Sequence, residues 1–168
     1  MNSIAANHNI DAIMLEKIEQ LLGRAPRGLE AVEVVDAQGN PSVIRVASLV
    51  DNKPFPTMFW LVDKALKYKL DQLEASGLIL ELQARIDNDE TLLEMMAADH
   101  QRYIALREQN MSPEIKQRLI DLNYFDALQK RGIGGIANFS RIRCLHTYYA
   151  AHLVKANTIG KCLDQDCF

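Results

Sequence analysis

Long apolar runs are missing from this chain. Nothing in it approaches the roughly 18 to 20 consecutive apolar residues that a membrane helix needs. Met1 to Asn9 has neither the basic nor the apolar region of a signal peptide, so the expected compartment is the cytoplasm. Cysteine is sparse: Cys144, Cys162 and Cys167 all fall in the last 25 residues, an odd set that makes a poor disulfide framework and reads as reduced thiols. Charge of one sign is not in excess either. With 19 lysines and arginines against 22 aspartates and glutamates, the net charge of -3 exerts no global pull on nucleic acid or anionic lipid. Eight glycines, five prolines and a 48% apolar content exclude collagen-like, low-complexity and disordered classes. Internal repeats are absent too. What remains is a single domain of 168 residues with an ordinary core, its residues 1–9 expected to be disordered and 162–168 expected to be a mobile tail.

The pattern of apolar residues predicts an α+β fold, a small three-stranded antiparallel sheet packed against several helices. Ile10, Ile13, Met14, Ile18, Leu21 and Leu22 recur at helical spacing between a capping Asn9 and a terminating Gly23. Two β-branched runs, 32–35 and 43–46, flank the turn formers of 36–41 and predict a hairpin. After Pro54 and Pro56, residues 57–62 read as a third strand. Everything beyond is helical. Leu66, Leu70 and Leu73 mark a helix ended by Gly77, and Leu78, Leu82 and Ile86 mark a second ended near Asp87. Asp87 with Glu90 resembles a capping box for a long helix to Gln109, and Ser112-Pro113 opens a short one. Residues 130–140 form a glycine-bearing loop, followed by a last helix over 141–156 that stops near Asn157 to Gly160.

Some polar residues stand where packing alone does not put them. On the long helix, Leu93, Met96, His100, Tyr103 and Arg107 fall within roughly 80° of one another, so a histidine and an arginine share the stripe that faces the core. A buried arginine must reach a carboxylate, a carbonyl cluster, an anion or water. Between residues 116 and 161, eight lysines and arginines face only Asp121 and Asp126. Within that stretch Gly132, Gly134 and Gly135 precede a helix opened by Ser140. Backbone N–H groups, a helix dipole, Arg141 and Arg143 therefore converge as a candidate site for an anion such as phosphate. On the last helix, His146 and His152 flank the apolar stripe of Ile142, Leu145, Tyr149 and Leu153. Cys144 is a candidate nucleophile, its thiolate favoured by Arg141, Arg143 and the helix N-terminus. A metal held by Cys144, His146 and His152 is disfavoured by spacing. Within one helix Cys144 and His146 project about 160° apart, and His146 and His152 about 120° apart.

Pro26-Arg27-Gly28-Leu29, Pro54-Phe55-Pro56-Thr57, the helix with His100, Tyr103 and Arg107, Cys144-Leu145-His146 and the later Asn157-Thr158-Ile159-Gly160 together resemble the bacterial domain of unknown function 501 family over roughly residues 20 to 162. The family carries no established activity, so the resemblance implies a fold and no chemistry. Members often show a cysteine pair in the strand region and a histidine seven residues after the cysteine of the Cys-Leu-His motif. Here that pair is missing and the position holds Ala151, with His152 beside it.

Two functional readings follow from the residues. The first is a pocket for a small phosphate- or carboxylate-bearing ligand, with or without turnover. In it Arg27, Tyr103, Arg107, Gly134, Gly135, Arg141, Arg143 and His152 bind, while His100, His146 and Cys144 serve as catalytic groups, and no metal or other cofactor is named. The second is a non-enzymatic adaptor that meets a protein partner through Phe55, Phe59 and Trp60 or through Tyr124-Phe125. Nucleic acid is a poor third candidate, because the acidic remainder offsets the basic stretch and no reading motif is present.

Overall fold

The computed structural model describes residues 10–168; the segment expected to be disordered, 1–9, lies outside the described residues, as does the expected cap Asn9. The first helix, α1 (Ala12–Leu22), is capped instead by Asp11, whose carboxylate accepts the Met14 N–H at 2.8 Å. Gly23 ends it in the left-handed conformation, as expected.

Strands β1 (Leu29–Val35) and β2 (Pro41–Val46) form the predicted hairpin. Its turn is organised by Asp36, which accepts the backbone N–H groups of Gln38 and Asn40 at 2.9 and 2.8 Å. Two short strands, β3 (Leu49–Val50) and β4 (Lys53–Pro54), pair around Asp51 and Asn52, both at positive φ. Strand β5 (Phe59–Leu61) then joins the free edge of β2, giving an antiparallel sheet of order β1-β2-β5. Because side chains alternate across a strand, the sheet has two apolar faces. Val32, Ile44 and Val46 point to α1 and its buried Ile18, whereas Val43, Phe59 and Leu61 point to the helices.

Those helices are α2 (Lys64–Ala75), α3 (Leu78–Asp87), α4 (Glu90–Asn110), α5 (Pro113–Asp121), α6 (Phe125–Leu128), α7 (Leu145–Val154) and α8 (Thr158–Asp166), making eight among the described residues. Two boundaries differ from expectation for a local reason. The cap of α4 is Asp89, not Asp87, since its carboxylate reaches the Leu92 N–H at 3.1 Å. Helix α7 begins at Leu145, not Arg141: Ser140 spends its hydroxyl on Asn138 at 2.6 Å, residues 141–144 are non-helical, and Cys144 is extended. The region read as a stop and a mobile tail is α8. Asn157 caps it by accepting the Gly160 N–H at 2.7 Å, and Ile159, Cys162 and Leu163 are buried in the main core. Helix α7 lies at the centre, with Leu145, Tyr148, Tyr149, Ala150 and Ala151 all buried. No helix among the described residues is long and apolar enough to cross a membrane.

Candidate functional site

The loop after α6 and the extended segment before α7 face each other across a groove of about 480 Å³. Arg131, Gly134 and Gly135 line one side, Arg141 and Arg143 the other. Alternation along the extended segment sends Arg141 and Arg143 to solvent and turns Ile142 and Cys144 inward, which the burial pattern follows. Two residues of extended chain span about 6.6 Å, close enough for both guanidinium groups to meet one anion.

Both walls of this groove are tied together from beneath by His100, which is wholly buried on α4. Its Nδ1 accepts the Ile133 N–H at 3.0 Å, so the proton of a neutral ring sits on Nε2 and is donated to the Tyr148 hydroxyl at 2.9 Å. Tyr148 in turn donates to the carbonyl of Arg141 at 3.3 Å. Burial lowers the pKa of His100 to about 4, Asp99 opposing weakly, which keeps Nδ1 a lone-pair acceptor at neutral pH. Phe139 stacks on the ring at 4.7 Å. The loop can approach this closely because residue 132 has no side chain: a Cβ on Gly132 would lie 2.3 Å from His100 Nδ1. Gly134 and Gly135 stand at positive φ, and a Cβ on Gly134 would meet Thr147 Oγ1 at 2.7 Å.

Arg107 is 1% exposed, and of the partners open to a buried arginine it takes the carbonyl cluster. It donates to Pro56 O at 2.9 Å, to Arg131 O at 2.7 Å and to Leu128 O, joining the strand region, α6 and the base of the groove loop. Burial pulls its pKa below the ordinary guanidinium value, and the three carbonyl dipoles hold the charge in place of water. Tyr103 lies beneath it, its hydroxyl accepting the Met58 N–H at 2.6 Å. His100 and Tyr103, read from the sequence as ligand or catalytic groups, thus have their polar atoms turned to protein partners, as do both terminal nitrogens of Arg107, whose Nε is buried without one.

The remaining candidates are scattered. His152 Nδ1 accepts the Asn157 N–H at 3.0 Å and its Nε2 donates to Asp164 at 2.7 Å, closing the turn between α7 and α8. A Cβ on Gly160 would come within 2.0 Å of that ring. Arg27 pairs with Asp51 and lines a separate groove with Arg24 and Trp60. Of the aromatic residues read as an adaptor surface, Phe59 is core, while Phe55 and Trp60 are half-buried and wall an open cleft of about 450 Å³.

His146 lines that cleft, and here the spacing inference fails. Cys144 precedes the helix, so the angle between helical positions does not apply, and its Sγ lies 3.8 Å from His146 Nδ1. Glu74 of α2 completes the group, its carboxylate 3.2 Å from the same Nδ1 and accepting the Leu145 N–H at 2.7 Å. That carboxylate already caps α7, so the helix dipole serves Glu74 and not the basic groove. Arg141 and Arg143 are exposed, whereas Cys144 is partly buried beside His146.

Residues 32–165 match a family described as protein of unknown function (DUF501). The chain belongs to that family. The DUF501 span contains the basic groove, the His100 brace and the Cys144 cluster, and leaves out Arg27. No curated protein and no solved structure matches the chain.

Glu74, Asp99 and Tyr148 carry no signal in the sequence, and Gly132 and Gly160 read there only as a loop glycine and a helix stop. Their partners lie far along the chain and no spacing links them. The only available signal was composition: a glycine beside a turn or in a first helical turn, where close approach of another group makes a side chain intolerable.

Proposed function

We propose that this is a cytoplasmic protein whose basic groove binds a small phosphate- or carboxylate-bearing ligand. The observation that supports it is the contrast among surface arginines. Arg27, Arg85 and Arg102 each have a carboxylate partner, in Asp51, Asp166 and Asp99, while Arg24 lies over the Trp60 ring and Arg118 donates to the Asn52 side chain. Arg131, Arg141 and Arg143 share one groove with Gly134 and Gly135 and have no such partner among the described residues. Three like charges held together repel one another, and a bound anion relieves that repulsion while accepting charge-assisted hydrogen bonds. Bracing by His100 and Arg107 supports the same reading, because it fixes both walls before a ligand arrives and lowers the ordering cost of binding. The basic third of the chain thereby acts as a local anion site and not as a nucleic-acid surface.

A thermal-shift panel of nucleotides, sugar phosphates and carboxylates at constant ionic strength tests this. At least one class should raise the melting temperature by a few degrees, and the double variant Arg141→Ser/Arg143→Ser should melt as the parent does without ligand and lose the shift. A panel that moves nothing, or a double variant that keeps the shift, would contradict the reading.

A further inference from the structure

A second site stands apart from the basic groove, where α2 meets the start of α7. Cys144 Sγ, His146 Nδ1 and a Glu74 carboxylate oxygen lie within 4.8 Å of one another, and all three residues are partly accessible. The measured edges are 3.8 Å from sulfur to Nδ1 and 3.2 Å from Nδ1 to the carboxylate. Zinc bonds of about 2.3 Å to thiolate and about 2.0 to 2.2 Å to imidazole and carboxylate, opened to a tetrahedral angle, give edges of about 3.6 and about 3.4 Å. Two edges of the donor triangle therefore already match a zinc polyhedron, and the third, from sulfur to carboxylate, is within 4.8 Å.

The surroundings of His146 point the same way. Its Nε2 faces Asp71 at 2.9 Å and the Lys67 carbonyl at 3.3 Å, both acceptors. A proton on Nε2 satisfies them and leaves the Nδ1 lone pair aimed at Glu74 and Cys144, where a neutral ring has no hydrogen to offer. The Cys144 thiol hydrogen is a weak donor to that lone pair, and a metal ion held by all three groups is a far stronger partner for it. A carboxylate on the outer nitrogen of a ligating histidine is the usual support of a zinc imidazole, and Lys67, Asp71 and Glu74 fall on one face of α2 to supply it. The Leu145 N–H fixes the Glu74 carboxylate in turn.

We propose that Cys144, His146 and Glu74 bind one zinc ion, with Asp71 orienting the histidine. Thiolate, imidazole and carboxylate together suit zinc better than the hard cations calcium or magnesium, which take oxygen ligands. Three protein donors leave the fourth position open. His146 borders the cleft walled by Phe55 and Trp60, so that position is accessible to water or to a ligand carrying an apolar body. The proposal does not depend on the anion groove, since no residue is shared between them.

Full-length protein stripped with chelator should take up one equivalent of zinc by calorimetry. Cobalt in its place should give the d–d bands of a tetrahedral ion together with thiolate-to-cobalt charge transfer. Cys144→Ser should abolish the charge transfer, His146→Gln and Glu74→Gln should each weaken uptake strongly, and Asp71→Asn should weaken it by about 10- to 100-fold. Cys167→Ser, whose thiol lies outside the cluster, should bind as the parent does. Bound zinc should also shield Cys144 from alkylation. No stoichiometric uptake by the parent overturns the proposal, as does a cobalt spectrum without the thiolate band, or uptake unchanged in every cluster variant. If a variant fails to fold, the parent's cobalt spectrum and alkylation protection decide.

Discussion

His100 offers a sharp quantitative test because its role fixes its protonation state. The folded protein keeps the ring neutral down to about pH 4, whereas the unfolded chain takes up the proton near the ordinary value of 6.5. Acid therefore favours the unfolded chain. The stabilising contribution is complete above about pH 6.5 and is lost as the pH falls toward 4. The gap amounts to about 3 kcal/mol in full, of which about 2 kcal/mol disappears between pH 7 and pH 5. His100→Asn retains a short acceptor for the Ile133 N–H but cannot titrate. It should be less stable at pH 7 by about 1 to 3 kcal/mol, because the Tyr148 hydroxyl loses its donor and a void is left under Phe139. Urea denaturation at pH 7, 6 and 5 separates the effects. Carboxylates elsewhere titrate alike in both proteins, so the parent should lose about 2 kcal/mol more than the variant across that range. Parallel curves would refute a buried neutral histidine bracing the groove.

Other consequences concern packing. Gly132→Ala and Gly160→Ala place a methyl group against the rings of His100 and His152, and each should cost about 1 to 3 kcal/mol in chemical denaturation; a neutral result at either would mean the close approach is not there. Arg107→Met keeps the volume but strips the donors from Pro56, Leu128 and Arg131, for an expected loss of about 3 kcal/mol or more; Arg107→Lys, a point charge without the fork, should fall between the two. A fully stable Arg107→Met would show that the carbonyls find water instead.

The hairpin and the buried stripe of α4 were legible in the sequence because periodicity records which side of an element faces the core. Met96, His100, Tyr103 and Arg107 are buried as their spacing requires. What the stripe touches was not legible. Arg107 meets main-chain carbonyls, which every residue possesses and which therefore leave no trace in side-chain identity. The Cys144 and His146 pair was misjudged for another reason: a helix boundary four residues later than expected converts opposed helical positions into neighbours. Helix α8 was missed because Asn157 and Gly160 read as a stop, when one is its cap and the other makes room for His152.

Buried His100 and Arg107 hold the groove whose exposed arginines are proposed to meet an anion. The most direct measurement is a two-dimensional amide NMR titration with pyrophosphate at constant ionic strength. Saturable shifts should concentrate at Arg131, Gly134, Gly135, Arg141 and Arg143 and spare Arg27 and His146. Shifts centred on Arg27 or His146, or none at millimolar pyrophosphate, would contradict it.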